Sequence, residues 1–277
     1  MNTAFKSPVE IAKGACASSK AKSSWSIPQM IIMGILAGAY IAFAGFLATV
    51  VSQDLSKYVG VGFSKFLTGA VFSTGLMLVV IAGGELFTGN CMMVLGSFAG
   101  CQPFRGVARN WFWVYMANFL GSILVALLIY YSGLWRGAVG ANALKIAAGK
   151  MSIPFVEGFF RGILCNWIVV LAVWMSMAAV DVAGKIWAIF FPIMAFVASG
   201  FEHSIANMYF MSMGLLVKGS EAVVTASGLP AEKLANVGIG GFLQNLVPVT
   251  LGNMVGGILF VAVFYYLVFQ KKLEDLQ

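Results

Sequence analysis

Gly83-Gly84-Glu85-Leu86-Phe87-Thr88-Gly89-Asn90 lies in the middle of an apolar run, Phe66–Leu95, that is too long for one straight bilayer crossing. Ser199-Gly200-Phe201-Glu202-His203-Ser204-Ile205-Ala206-Asn207 interrupts a second long run, Ile186–Val217. Both contain Glu-x4-Asn, and both set glycine and polar groups inside a segment otherwise suited to lipid. Paired interruptions of this kind at corresponding places in two halves of a chain point to a transport site. Irregular backbone at membrane depth persists only where protein or a water-filled cavity covers it. A helix that restarts after such a break also exposes N–H groups, which favour an anion.

The rest of the chain agrees with a membrane setting. Of 277 residues, 60% are hydrophobic and only 10% are charged, with a mean hydropathy of +0.92. A soluble domain carries about 25% charged residues, so lipid must cover most of this surface. Six candidate spans follow: Ile27–Val50, Phe66–Leu95, Trp111–Tyr131, Pro154–Val180, Ile186–Val217 and Gly238–Phe269. The first run follows a polar, Lys-containing stretch with no small-residue cleavage site, so it is expected to be a retained helix. Residues 1–26 then form an amino-terminal segment, 27–269 the transmembrane domain and 270–277 a short tail. Six spans put both termini on one side. Lys and Arg in the connections favour that side, nine to seven, so both termini are expected to be cytoplasmic, in an inner or plasma membrane.

The net charge of +7 does not indicate a nucleic-acid partner, because the basic residues are scattered over termini and loops with no basic stripe. Cys16, Cys91, Cys101 and Cys165 lack any CxxC spacing and are expected to be free thiols acting as small hydrophobes.

An internal repeat sets the architecture. Gly34-Ile35-Leu36 recurs as Gly162-Ile163-Leu164, and Glu85-x4-Asn90 as Glu202-x4-Asn207. Asn110 and Asn118 precede Gly121-x-Ile123-Leu124 at the intervals by which Asn245 and Asn253 precede Gly256-Gly-Ile258-Leu259. Each half holds three spans, an odd number, so the second half must run inverted through the membrane. The expected fold is all-α and integral to the membrane, a 3+3 inverted repeat whose second and fifth spans are broken, with a pathway between the halves.

His203 is the single histidine, and it falls in a break beside Glu202, where a polar group is costly unless used or paired. Its titration range suits a group that hands a proton to a weak-acid anion. Glu85 and Glu202 are read as loop braces that accept from exposed backbone N–H groups, since a bare carboxylate on an anion path would repel the substrate. Asn90 and Asn207 are read as braces too.

Gly84-Glu-Leu-Phe-Thr-Gly89, Cys165-Asn-Trp167, Ser199-Gly-Phe-Glu-His-Ser-Ile-Ala-Asn-Met208 and Pro248-Val-Thr-Leu-Gly-Asn253 resemble the formate/nitrite transporters, over about Pro8 to Phe269. The resemblance implies an aquaporin-like fold assembled as a homopentamer, with one pathway per protomer for formate, nitrite or hydrosulfide, and a proton as a candidate co-substrate. It implies that His203 is the central histidine, with Thr88 facing it from the other loop, and Phe87 is expected on the substrate pathway beside Thr88. Phe72 and Phe196 match an outer constriction, Leu76, Leu86 and Val169 an inner one, and Asn166 a pathway asparagine. Lys150 matches an outer anion-attracting residue; the inner one is Lys20 or Lys22. Gly89-Asn90 stands where formate channels have Ser-Ser or Ser-Thr, which is nearer the nitrite branch, as is Cys165-Asn-Trp167; Pro248-Val-Thr is nearer the formate channels.

No enzyme chemistry, cofactor or metal is expected from one histidine, unclustered acids and scattered cysteines. A water or glycerol channel would share the layout but should carry paired Asn-Pro-Ala motifs, which this chain lacks. The expected partners are a small anion, membrane lipid and further copies of the chain.

Overall fold

The computed structural model describes residues 5–274, whose regular secondary structure is helical apart from one isolated bridge between Phe5 and Ala179. The last residues of the expected tail, 275–277, lie outside the described residues. In chain order the helices are α1 (Pro8–Ser24), α2 (Ile27–Ser52), α3 (Ser56–Gly83), α4 (Phe87–Asn90), α5 (Met93–Phe98), α6 (Phe104–Ser132) and α7 (Ala138–Met151). Then come α8 (Phe155–Ala178), α9 (Val182–Ala198), α10 (Ser204–Val217), α11 (Glu221–Ser227), α12 (Ala231–Ala235) and α13 (Ile239–Leu273). Helices α2, α3, α6, α8 and α13 are each long and apolar enough to cross a membrane, while α9 and α10 are shorter apolar helices.

Local chemistry explains the ends. Ser7 with Glu10 and Ser26 with Gln29 form reciprocal capping boxes at the starts of α1 and α2, each followed by proline in the first turn. Gly133 closes α6 in the left-handed conformation. Asp181 opens α9 by accepting from the Gly184 N–H at 2.6 Å. Helix α3 loosens into a π turn over Leu78–Gly83 before it stops. Gly83 (φ 96°) and Gly200 (φ 77°) turn the chain out of α3 and α9 with backbone angles that a side chain disfavours.

The repeated sequence motifs turn out to be helix crossings. Gly121 on α6 meets the Ile35 carbonyl of α2, and Gly256 on α13 meets the Ile163 carbonyl of α8; a Cβ at either glycine would overlap main chain. Small residues let these backbones touch where lipid offers no hydrophobic drive for helices to associate.

Two features depart from the sequence reading. Cys16 and Cys101 form a disulfide and are not free thiols, because α1 folds back over the loop after α5 and brings their Cα atoms to 6.0 Å. Cys91 and Cys165 are free and buried. Beside the disulfide, Ser19 Oγ donates to the Met93 carbonyl at 2.9 Å, and Gln102 Nε2 donates to Ser19 Oγ and to the same carbonyl. The second feature is α7, read from sequence as plain connection; it packs on α10 and carries Lys150 in its last turn.

Candidate functional site

The chain leaves helical geometry after Gly83 and re-enters it at Phe87; it does so again after Ala198, re-entering at Ser204. One set of hydrogen bonds holds each break. Asn118 Nδ2 donates to the carbonyls of Gly34 and Glu85, both at 2.8 Å, while its Oδ1 accepts from the Phe87 N–H at 2.9 Å. Asn253 does the same with Gly162, Glu202 and Ser204, each at 2.9 Å. The N–H of Glu85 bonds the Met33 carbonyl, and that of Glu202 the Arg161 carbonyl. Buried backbone groups freed by a break must find such partners. Two asparagines thus take the first N–H of each restarted helix, which withdraws those groups from the set expected to face an anion.

Glu85 and Glu202 are buried, and side chains supply their hydrogen bonds where backbone N–H groups were expected. Glu85 accepts from Asn90 Nδ2 at 2.7 Å, more weakly from Asn110 at 3.4 Å, and pairs with Lys22 Nζ at 2.8 Å. Glu202 accepts from Asn207 Nδ2 at 2.6 Å and from Asn245 at 3.4 Å, and pairs with Lys150 Nζ at 3.0 Å. The two asparagines in each set also bond one another. Lys22 further donates to Asn90 Oδ1 at 2.7 Å.

His203 caps α10: its Nδ1 accepts from the Ala206 N–H at 3.1 Å, and its Nε2 lies 2.9 Å from Thr88 Oγ1. A nitrogen that accepts carries a lone pair, so the neutral ring bears its proton on Nε2 and donates it to Thr88. A doubly protonated ring would set two donors against each other at Ala206 and lose the cap.

Two cavities of about 320 and 290 Å³ approach this point. The first is lined by Lys22, Lys185, Glu85, Leu76, Leu86 and Asn90, the second by Lys65, Lys150, Glu202, Phe72, Phe196 and His203 among others. Between them lies an apolar neck with free space of only about 10 Å³, roughly one water molecule. Phe72, Leu76, Leu86, Val169 and Phe196 all line the neck, together with His203 and with Ile41 and Ile193, which sequence reasoning missed. Phe72 and Phe196 meet edge to face at 5.9 Å, on the side of the Lys150 cavity.

The remaining expected residues fall elsewhere. Asn166 lines none of these cavities; its Nδ2 donates to the carbonyls of Thr88 (3.1 Å) and Asn253 (2.7 Å), tying the two breaks together. Phe87 packs edge-on against Trp111 and Tyr115. Thr88 is fully buried and reaches the neck only as the partner of His203. Of the two amino-terminal lysines, Lys22 lines a cavity, and Lys20 is exposed outside its lining. Ile41 matches Val169, and Leu76 matches Ile193, at the intervals set by the repeat; that periodicity was the signal available for the two missed residues.

Comparison with known proteins supplies the context. The family described as formate/nitrite transporter matches residues 9–267. A probable formate transporter of Methanothermobacter thermautotrophicus is 43% identical, over 98% of this chain and 100% of that protein. The formate channel FocA of Escherichia coli strain K12 is 34% identical, over 96% of this chain and 95% of its own length. A solved structure described as a pentameric formate channel with formate bound superposes with a TM-score of 0.78 at 35% identity, covering 88% of this chain and 97% of that one.

Proposed function

This chain belongs to the formate/nitrite transporter family, and we propose that it conducts formate or nitrite through the neck between its two cavities. It is a membrane transporter and not an enzyme. The observation that carries the reading is the neck itself: an apolar constriction with a single polar pair, His203 and Thr88, at its wall. An anion entering it sheds water, at a cost no apolar wall repays. The Nε2–H of His203, which donates to the Thr88 oxygen in the closed neck, and the Thr88 hydroxyl proton then serve as donors for which the anion competes.

We read the two halves as an inverted 3+3 repeat with six crossings, the second and fifth broken at Gly83 and Gly200 and their neighbours. The parallel networks of Asn118 and Asn253, and of Glu85 and Glu202, support this. The Lys22 cavity, beside α1, is assigned to the cytoplasm, and the Lys150 cavity to the outside of a plasma or inner membrane. We read the assembly as a homopentamer, which the pentameric neighbour supports and which would cover part of the apolar exterior. Because Nδ1 is engaged by Ala206, His203 is read as a neutral donor, which makes passage of the anion electrogenic.

The test is flux in proteoliposomes. The full-length protein should pass formate and nitrite with a matching membrane current at neutral pH. Thr88→Val should lower both about tenfold or more, as expected for one lost buried hydrogen bond, with assembly unchanged. Full flux in the valine variant would remove Thr88 from the pathway. Flux without current would replace anion conduction by a proton-coupled route.

A further inference from the structure

Each cavity holds two lysines and one carboxylate. On the α1 side these are Lys22, Lys185 and Glu85; on the opposite side they are Lys150, Lys65 and Glu202. Lys22 and Lys150 are ion-paired with the bracing glutamates at 2.8 and 3.0 Å, and those glutamates are themselves buried. A lysine in contact with a carboxylate presents an approaching anion with almost no net charge, since the two potentials cancel within a few ångströms. Lys185 Nζ instead donates to the Ser176 carbonyl at 3.0 Å, and among the described residues neither Lys185 nor Lys65 is in an ion pair. Asp181, one turn before Lys185, is engaged by the Gly184 N–H and does not line the cavity. Lys185 is in the first turn of α9 and is half-buried, whereas Lys65 is an exposed residue of α3.

We infer that Lys185 at one mouth and Lys65 at the other are the charges that capture the permeating anion, while Lys22 and Lys150 serve to hold the helix breaks. This rests on the anion-conducting reading above. The positive end of each cavity is then set by a residue outside the repeat's matched motifs, so entry from the two faces can be tuned separately. Both lysines are positioning residues: they concentrate the ion and do not touch it in the neck.

The experiment measures initial formate flux against formate concentration in right-side-out and inside-out membrane vesicles, at low and high ionic strength. A unit charge about 8 Å from the ion in a water-like dielectric alters local concentration about two- to threefold. Lys185→Gln should therefore raise the half-saturating concentration about two- to threefold in one vesicle type, and Lys65→Gln in the other, with the maximal rate unchanged. Both effects should vanish at high salt, where the screening length shortens. Lys185→Arg and Lys65→Arg should behave as wild type, which separates charge from packing. Half-saturation and salt dependence equal to wild type in both glutamine variants would overturn the inference while leaving the anion reading intact. Absence of formate and nitrite flux in the wild-type vesicles would overturn that reading, and this one with it.

Discussion

Leu86 and His203 occupy the same place in the two helix breaks. Each follows the bracing glutamate, each has nearly the same backbone angles (φ −106°, ψ 120° and φ −111°, ψ 115°), and each lines the neck. Around them the frames match in the bonds of Asn118 and Asn253 and in the Nδ2 bonds of Asn90 and Asn207. The occupants do not match. Leu86 offers only surface, whereas His203 caps α10 and reaches Thr88 on the other break. Ile205, in the position that answers to Thr88, is buried and apolar. The lesson is that geometry is duplicated and chemistry is not. A break made twice frees the same backbone groups twice and must satisfy them twice, but the proposed anion path needs only one polar pair at the neck.

The largest effect should come from breaking the shared frame. Asn118→Leu and Asn253→Leu each leave the carbonyl and one N–H of a helix break without a partner, at about 1–3 kcal/mol apiece. Both variants should lose stable assembly in detergent, seen as aggregation on size-exclusion chromatography, and to similar degrees. A stable, active protein from either substitution would show that the two frames are not equivalent.

Next comes the asymmetric occupant. His203→Leu makes the second break a copy of the first, removing the cap and the donor to Thr88 together. Formate flux should fall about a hundredfold, the equivalent of two buried hydrogen bonds, while the protein still elutes as an intact assembly. His203→Asn keeps a donor and should retain part of the current. A pH dependence of flux and current that is the same in wild type and His203→Asn supports the neutral-donor role. A pH response lost with the histidine would instead assign it the handing over of a proton.

The smallest effect sharpens the comparison on the apolar side of the neck. Phe196 answers in the repeat to Val79, so the Lys150 side carries the larger ring. Phe196→Ala should raise lactate flux relative to formate about tenfold, the order of discrimination a hydrophobic pocket gives. An unaltered size cutoff would return Phe196 to ordinary packing.

Much of this was legible in the chain. The apolar runs located the long helices to within a few residues, except that α6 begins seven residues before the expected Trp111 and α3 ten before the expected Phe66; Ser56 to Lys65 is mostly exposed, kinked at Gly60 and polar enough to read as a connection. The repeat located the helix crossings and the asparagines that hold the breaks. The Cys16–Cys101 pair was hidden, since no local spacing records that α1 folds back on the loop after α5. Lys22 could not be told from Lys20 for the same reason: the choice depends on which face of α1 meets Glu85.

Sequence by itself therefore determined the class, the breaks and the chemistry available at them, because lipid exposure, backbone satisfaction and the rarity of buried polar groups all leave marks along the chain. Tertiary structure alone decided what those groups are paired with. It set Asn166 to bracing and not to lining, turned Phe87 toward Trp111 and Tyr115, and neutralised Lys22 and Lys150 against the glutamates. Pairing depends on distances between segments remote in sequence, and side-chain charge counts in an electrostatic field only after its nearest neighbours have been subtracted.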